Sequence, residues 1–184
     1  MTYEELKKAN ETIKTTDIKG KAYAEVNQRI KAFRMVYPDG FIRTDLVSNQ
    51  NGVCIIRAAV GFYDPAGNSF MLGEGTAYER EDMGYINKTS YIENCETSAV
   101  GRALGMAGFG IDVSVASAEE VTNAIANQNI TKTQVDSLRL TIKNNPDKLG
   151  EEALLKRYHV EKLEDLTNAN LSDIIQYINK EVEK

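Results

Sequence analysis

The sequence predicts an α+β fold: a helix, a three-stranded antiparallel β-sheet with a hairpin, and a central helix, followed by a small three-helix C-terminal module. Side chains alternate between turn sequences at 41–79, and a long segment with helical periodicity follows at 89–112. Beyond the polar linker NQN the periodicity is helical throughout. The 184 residues suffice for one domain and a small appendage. We therefore divide the chain into an α+β core, 1–128, and a helical module, 129–184.

The first part of the core has a helical pattern. Residues 1–17 indicate a short charged helix or a mobile arm. From Lys21 to Val36, apolar side chains recur at helical spacing. The sequence PDG at 38–40 ends this pattern, because proline and glycine do not continue a helix. We therefore expect an amphipathic helix that begins near Lys21.

Three segments that resemble strands follow. Phe41 to Ser48 and Val53 to Tyr63 alternate between two faces, and the turn sequence NQNG between them predicts a β-hairpin. A second turn, DPAG, leads to a third strand at Ser69 to Glu79. Successive side chains of a strand point to opposite faces. We therefore expect Arg43 and Arg57 on the open face of the hairpin, available to a ligand.

The segment from Thr89 to Asp112 predicts the central helix. Ser90 and Glu93 have the spacing of a capping box, so the helix should start near Tyr91. Small and apolar side chains then recur at helical steps and form a stripe that faces the core. Arg102, the lone arginine of the segment, ends a polar ridge on the same helix, and its apolar sequence context predicts that it is buried.

Glycines have unusual positions in two of these elements. Gly101 and Gly105 lie inside the predicted helix, where each costs about 1 kcal/mol relative to alanine. Gly73 and Gly75 lie inside the third strand and indicate a bulge or a close backbone contact. For the helix we expect either a sheet or second helix that crosses closely over the glycines, or the approach of a nucleic-acid backbone near Arg102.

After the central helix the sequence predicts only helices. Ser117 and Glu120 form another capping box, at the start of a short helix over Ala118 to Ala126. The C-terminal module contains three helical segments, which begin near Thr131 and extend over Leu149 to Tyr158 and Thr167 to Val182. We interpret this module either as a contribution to stability or as a docking site for a partner.

The composition is that of a soluble globular protein, and the amino terminus lacks the apolar run of a signal peptide. We therefore expect a cytoplasmic protein without a membrane-spanning segment. The net charge is −5, but basic residues outnumber acidic ones between Ile18 and Arg57, which is compatible with phosphate binding or with a solvated surface. Cys54 and Cys95 are isolated, and His159 is the single histidine. The sequence therefore predicts no disulfide, no zinc site and no cofactor.

The residue types argue against catalysis. No serine, histidine and aspartate set or cysteine and histidine set is available apart from one remote histidine, so we predict that the chain is not an enzyme. A Mg²⁺-dependent nuclease is the alternative that acidic residues suggest. Its candidate ligands are Asp64, Glu74, Glu79, Glu81 and Asp82. A protein-interaction or regulatory module that ignores DNA is a further alternative.

Binding of single-stranded nucleic acid requires cations along a groove and aromatic faces on which bases stack. The candidate residues are Arg43, Arg57, Lys88, Arg102, Tyr85 and Tyr91. We expect these side chains to border one cleft between the hairpin and the central helix. The same pattern also fits tyrosines that pack half-buried and cations that lie on a solvated face.

The region from about Lys19 to Asp112 resembles the core of the single-strand annealing proteins. This group includes phage recombination proteins of the Erf and Sak type and the eukaryotic annealing protein of double-strand-break repair. The resemblance depends on the segments GEGTAYER and ENCETSAVGRALGMAGFGID, and above all on GRALG at Gly101 to Gly105. This chain has only Arg102 where the relatives have a denser basic run in the helix.

The resemblance implies a function and a mode of assembly. Such proteins form rings or helical filaments, hold single-stranded DNA in a groove between hairpin and helix, and anneal complementary strands without ATP. By this resemblance Arg102 contacts the DNA backbone from the helix, and Arg43 and Arg57 do so from the hairpin. The C-terminal helices then correspond to a tail that, in some phage annealing proteins, recruits a single-strand-binding protein or an exonuclease.

Overall fold

The structure is a computed structural model that describes residues 1–82, 84–146 and 149–182, with the side chains of 84–86 and 180–182 outside the described part. The chain forms two compact units, Met1–Asn123 and Ala124–Lys184. The first unit contains helices and two antiparallel sheets, and the second unit is helical. The predicted α+β class is therefore confirmed.

The first unit contains the sheet and the helices around it. Its elements are α1 (Tyr3–Asn10), β1 (Thr15–Ile18), β2 (Lys21–Ala24), α2 (Val26–Val36), β3 (Phe41–Gln50), β4 (Val53–Tyr63), β5 (Ser69–Arg80), α3 (Gly84–Met106) and α4 (Ala118–Ala126), the last of which continues into the second unit. Helix α1 begins with a capping box between Thr2 and Glu5. Its last residue, Asn10, donates a hydrogen bond to the Gly108 carbonyl (2.9 Å) and accepts one from the Gly110 amide (3.1 Å). These contacts attach α1 to the chain that follows α3.

The helix expected from Lys21 begins at Val26 instead, because Lys21–Ala24 forms β2 and pairs antiparallel with β1. Lys19 and Gly20 connect the two strands with φ angles of 53° and 80°, the left-handed conformation of a two-residue hairpin turn. Asp17 supports this turn, since its carboxylate accepts a hydrogen bond from the Gly20 amide (3.2 Å). The apolar spacing therefore predicted a helix where the chain forms a hairpin, whose turn lacks the common Asn-Gly sequence.

The larger sheet has the strand order β3-β4-β5, with both pairs antiparallel. The predicted hairpin is confirmed, and its turn lies at Asn51 and Gly52, whose φ angles are 53° and 71°. Within this hairpin the register shifts between Leu46 and Ser48, which indicates a β-bulge in β3.

Helix α3 packs on one face of this sheet. Buried side chains of β4 and α3 meet in the main core, whose largest contributors also include Phe33 of α2 and Phe109. The buried residues from β4 and α3 are Cys54, Ile56, Ala58, Val60, Cys95, Ala99, Val100, Ala103 and Leu104. The apolar alternation of β4 and the small-residue stripe of α3 are thus the two halves of one interface.

Helix α3 begins earlier than predicted, at Gly84, but its helical conformation is broken just before Tyr91, where the sequence predicted the start. It is kinked at Ser90, where φ and ψ are −143° and 26°. The preceding helical turn is held by Asn87, whose side chain bonds to β5 and, across the kink, to Asn94. The local capping pattern therefore marks a kink inside the helix.

The two glycines of β5 make the close backbone contact that the sequence predicted. A Cβ atom at Gly75 would lie 2.6 Å from the Ala103 amide nitrogen and 2.8 Å from the Ala99 carbonyl oxygen, both in the backbone of α3. A Cβ at Gly73 would overlap the Ala103 carbonyl oxygen. Strand β5 and helix α3 therefore approach each other at a distance that no side chain permits.

The glycines of α3 face the opposite way, toward α2 and the segment after α3. A Cβ atom at Gly101 would lie 2.8 Å from Val26 Cγ2, and one at Gly105 would lie 2.5 Å from Arg29 Nη1. Ser117 also adjoins Gly101, at 3.3 Å. The expectation that a second helix crosses the glycine face is therefore confirmed. The backbone of α3 is therefore in close contact with β5 on one side and with α2 and the segment after α3 on the other.

The second unit has its own small core. Its helices are α5 (Lys132–Asn144), α6 (Glu151–Tyr158) and α7 (Asn168–Val182), with a 3₁₀ turn at Leu163–Asp165. The buried residues are Ile130, Val135, Leu138, Leu149, Leu154, Leu163, Leu166 and Ile174. None of the described helices of either unit has the length and apolar character needed to cross a membrane.

Candidate nucleic-acid interface

The larger sheet has a second face, which points away from α3. Buried residues alternate along β4, so the residues between them, such as Arg57 and Ala59, point to this other side. We call it the open face. It includes Phe41, Arg43, Asp45, Ile55, Arg57, Ala59, Tyr63, Glu74, Thr76, Tyr78 and Arg80. Most of these side chains are exposed, and Tyr78 is 69% exposed.

The strand register places Arg43 and Arg57 together. Arg43 pairs with Ala59, and Asp45 pairs with Arg57 on the next rung of the same face. Arg43 and Arg57 are therefore diagonal neighbours, whose Cβ atoms are about 7 Å apart in such a sheet. The expectation that both arginines share the exposed side of the hairpin agrees with this geometry.

Arg43 is held by two aromatic side chains. Its guanidinium carbon lies 4.7 Å from the centre of the Phe41 ring and 5.7 Å from that of Tyr63, and it donates a hydrogen bond to the Tyr63 hydroxyl. The two rings are themselves 5.4 Å apart. Cation–π contacts of this kind orient a guanidinium without neutralising its charge. Arg43 is thus an oriented cation at the surface.

Arg57 has a carboxylate neighbour. Its guanidinium lies 3.4 Å from Asp45, and the two side chains are 49% and 68% exposed. An ion pair with this exposure contributes at most about 1 kcal/mol, so a phosphate can compete with Asp45 for the arginine. Glu74 is the other carboxylate of the open face and lies on the rung of Arg43. Positive and negative charges on this face are therefore nearly balanced.

The open-face residues follow a diagonal across the sheet. We define the diagonal track as Phe41 and Arg43 on β3, Arg57 on β4 and Tyr78 on β5, with successive rungs from one end of the sheet to the other. The two carboxylates, Asp45 and Glu74, lie beside this line and not on it. The sequence did not identify Phe41, Tyr63 and Tyr78 as members of this surface. These three residues come to lie near Arg43 and Arg57 only when all three strands are paired in the correct register.

The remaining candidates lie elsewhere. Lys88 is exposed on α3, and Tyr91 is half-buried against the core with its hydroxyl bonded to Asn49 (3.0 Å). Arg102 also belongs to α3. The side chain of Tyr85 lies outside the described residues. The single cleft expected from the sequence is therefore not formed, because the sheet separates the side chains of α3 from the arginines of the open face.

Arg102 is not the buried arginine that the sequence suggested. Its side chain is 45% exposed, and its Nε donates to Glu120 at 2.6 Å. Glu120 is only 12% exposed and also accepts from the Ser117 amide (2.9 Å), in the predicted capping box of α4. Arg102 is thus attached to the start of α4.

The buried arginine is Arg29 of α2, which is 0% exposed. Its Nη1 donates to the carbonyls of Gly101 and Val115, both at 2.9 Å. Its Nη2 donates to the carbonyls of Ser114 (2.6 Å) and Ala116 (3.0 Å). Burial lowers the pKa of this guanidinium, and the nearby carboxylates of α4 oppose that shift. Arg29 therefore joins α2, α3 and the segment before α4.

The carboxylates proposed as nuclease ligands are dispersed. Asp64 accepts hydrogen bonds from Asn68, and Asp82 pairs with Arg80 at 2.7 Å. Glu79 points to the core side and accepts from Asn87 (2.8 Å), whereas Glu74 lies on the open face. Within the described ranges, no group of three or more histidine, cysteine, aspartate or glutamate side chains could hold a metal ion.

Replacement of Glu79 by glutamine should stabilise the first unit at neutral pH. Burial raises the pKa of Glu79, so the folded state holds the proton more tightly than the unfolded state does. The associated stability is complete at low pH and is lost as the pH rises through the raised pKa. Glutamine lacks this penalty and can still accept from Asn87. Urea unfolding at about pH 4 and about pH 7 tests this prediction, since the stability gain should be larger at the higher pH.

The exposed Glu74→Gln variant is the matched control, because it removes a carboxylate from the same strand on the other face of the sheet. It should change stability by less than about 0.5 kcal/mol. A Glu79→Gln variant that is less stable than the parent at neutral pH would show that the carboxylate is needed in its charged form.

One protein-family model matches the chain. It is described as Slr1353 N-terminal dsRNA-binding domain-like and covers residues 30–107, which contain most of α2, the three-stranded sheet and α3. This match suggests nucleic-acid binding. Neither the curated proteins nor the solved structures include a match to the chain.

Proposed function

We propose that this chain binds single-stranded DNA and anneals complementary strands without ATP, as a non-enzymatic protein of phage-type homologous recombination. The observation that supports it best is the diagonal track, where two exposed arginines lie on neighbouring rungs between aromatic side chains. Arginines and aromatic rings on one open sheet face suit an unpaired strand, which offers phosphates and base faces at the same time. The family-model match supports the nucleic-acid binding in this proposal.

The proposal of strand annealing depends on the resemblance of the GRALG helix and its neighbouring strand to the single-strand annealing proteins. By the same resemblance we propose that the chain assembles into a ring or filament. The second unit would then recruit a single-strand-binding protein or an exonuclease.

Duplex RNA is a second candidate ligand, because the matching family is described by that ligand. Proteins read duplex RNA mostly by shape and by contacts to phosphates and 2′-hydroxyls across the minor groove. A site of that kind depends on cations more than on exposed rings. The diagonal track favours the single strand, since half of its members are aromatic.

The first experiment measures binding of a fluorescent single-stranded oligonucleotide at about 50 mM and about 200 mM salt, with light scattering on the same sample. Unlabelled duplex RNA of equal length serves as the competitor. Salt-sensitive binding that duplex RNA displaces poorly, together with annealing of complementary strands in the absence of ATP, is the expected result. Preferential displacement by duplex RNA would favour the second candidate. A chain that binds neither would contradict the proposal.

Variants of the cations on the two sides of the sheet should differ in their affinity for single-stranded DNA. Arg43→Gln and Arg57→Gln should each weaken single-strand binding about tenfold, which corresponds to about 1.4 kcal/mol. Each should also lower the salt slope by about 0.7, because one phosphate contact is lost.

The matched controls are Lys88→Gln and Arg102→Gln, which remove cations from α3. Both should leave the affinity within about twofold of the parent, because these side chains lie on the other side of the sheet. The reverse outcome, with loss of binding only in the α3 variants, would place the DNA on the helix side and contradict the role of the open face.

A further inference from the structure

We propose that the open face binds the bases of the strand, and not only its phosphates, at two stacking sites at the two ends of the diagonal track. The first site is formed by Phe41, Arg43 and Tyr63, and the second by Tyr78. This inference rests on the proposed function. It names the part of the nucleic acid that the face recognises, which is the exposed face of an unpaired base.

The first site already has the layered arrangement that base stacking requires. The Arg43 guanidinium lies over the Phe41 ring and also donates a hydrogen bond to the Tyr63 hydroxyl. Both rings and guanidinium planes are surfaces on which unpaired bases stack. Tyr63 is 45% exposed, so the site is accessible from solvent.

The second site is the ring of Tyr78. Its register partner on the central strand, Ile55, is half-buried. With 69% of its surface exposed, Tyr78 is the most exposed aromatic residue of the described sheet. Base stacking requires an aromatic ring that is exposed in this way, and it contributes to the affinity for a single strand.

The distance between the sites sets the length of strand that one protomer covers. The rung of Phe41 includes Gly61 and that of Tyr78 includes Ile55, so the sites are six residues apart along β4 and two strands apart across the sheet. Strand rise and strand spacing give a separation of about 20 Å. A stacked strand advances about 3.4 Å per nucleotide, so about six nucleotides bridge the sites, and fewer if the strand is extended.

The charges of the face also favour contact with bases. Asp45 lies 3.4 Å from Arg57, and Glu74 lies on the rung of Arg43. A surface that bound phosphates alone would carry an uninterrupted series of cations. With two arginines as the phosphate contacts of the track, the expected slope of log affinity against log salt is only about −1.4. Any further affinity would then come from contacts that salt does not weaken, such as base stacking.

The test compares two fluorescent oligomers of equal length, one of thymidine and one with abasic sites throughout, on the full-length protein. If bases stack, the abasic oligomer should bind at least about tenfold more weakly, with the same salt slope. Equal affinity for both oligomers would overturn the stacking sites and leave the proposed single-strand binding intact. Failure to bind either oligomer would contradict the proposed function itself.

Variants of Tyr78 locate the effect. Tyr78→Leu should weaken binding of the thymidine oligomer about tenfold without a change in salt slope, whereas Tyr78→Phe should retain the parent affinity. Tyr3→Leu is the matched control, because Tyr3 is 76% exposed on α1. At saturation of a long strand, each protomer should cover about six nucleotides. A Tyr78→Leu variant that binds like the parent would overturn the second site.

Discussion

Replacement of Arg29 by alanine should lower the free energy of unfolding of the first unit by at least about 3 kcal/mol. The guanidinium is fully buried and donates to four backbone carbonyls, through one buried and three part-buried hydrogen bonds. Alanine would leave these carbonyls without their donors and would also leave a cavity beside Gly105 and Gly110, whose backbones contact the arginine. Both effects lower the stability of the folded state.

Urea unfolding followed by circular dichroism measures the change. Lys31→Ala is the matched control, since Lys31 lies on the same helix and is exposed, and it should change stability by less than about 0.5 kcal/mol. Arg29→Lys keeps the charge but lacks the planar set of donors, so its stability should fall between those of the parent and Arg29→Ala. A stability of Arg29→Ala equal to that of the control would show that the segment 114–116 does not depend on the arginine.

A single methyl group at Gly75 should destabilise the first unit by about 3 kcal/mol. The added Cβ of Gly75→Ala would lie 2.6 Å from the Ala103 nitrogen and 2.8 Å from the Ala99 oxygen. These are backbone atoms of α3, so no side-chain rotation relieves the overlap. The helix must move away from β5, and that movement is opposed by α2 on its other side.

The measurement is again urea unfolding, with Thr76→Ala as the control. Thr76 is the next residue of β5 and is exposed on the open face, so its replacement should cost less than about 1 kcal/mol. Combining Gly75→Ala with Ala103→Gly should give no recovery, because the overlap involves the backbone of residue 103 and not its methyl group. Recovery of stability in the double variant would show that side-chain crowding is the cause.

Local signals predicted the sheet well. The alternating runs of β3, β4 and β5 and the turn sequences between them were sufficient to place three strands, because hairpin turns and period-two patterns are encoded within a few residues. The hairpin at Thr15–Ala24 was missed, since its turn residues, Lys19 and Gly20, are not a common turn pair. The helical segment that begins at Tyr91 was predicted, whereas the turn before Ser90 was not, because that turn depends on a bond from Asn87 to Glu79, outside the helix.

The candidate site was only partly predictable, for a similar reason. Alternation within one strand placed Arg43 and Arg57 on the same face, but the neighbours of Arg43 depend on three paired strands and on the shifts at Leu46 and at Val60. Which arginine is buried could not be read from helical spacing. Arg29 is buried because carbonyls more than 70 positions along the chain surround it, and such partners leave no local pattern.

The contacts of Arg29 also determine where the chain can be cut. The region of family similarity begins at residue 30, immediately after this arginine, and ends at residue 107. Three of the four acceptor carbonyls belong to Ser114, Val115 and Ala116. A fragment with the limits of the similarity would lose the donor and most of its acceptors together. The smallest piece able to fold independently must therefore extend beyond both ends of the region that sequence similarity defines.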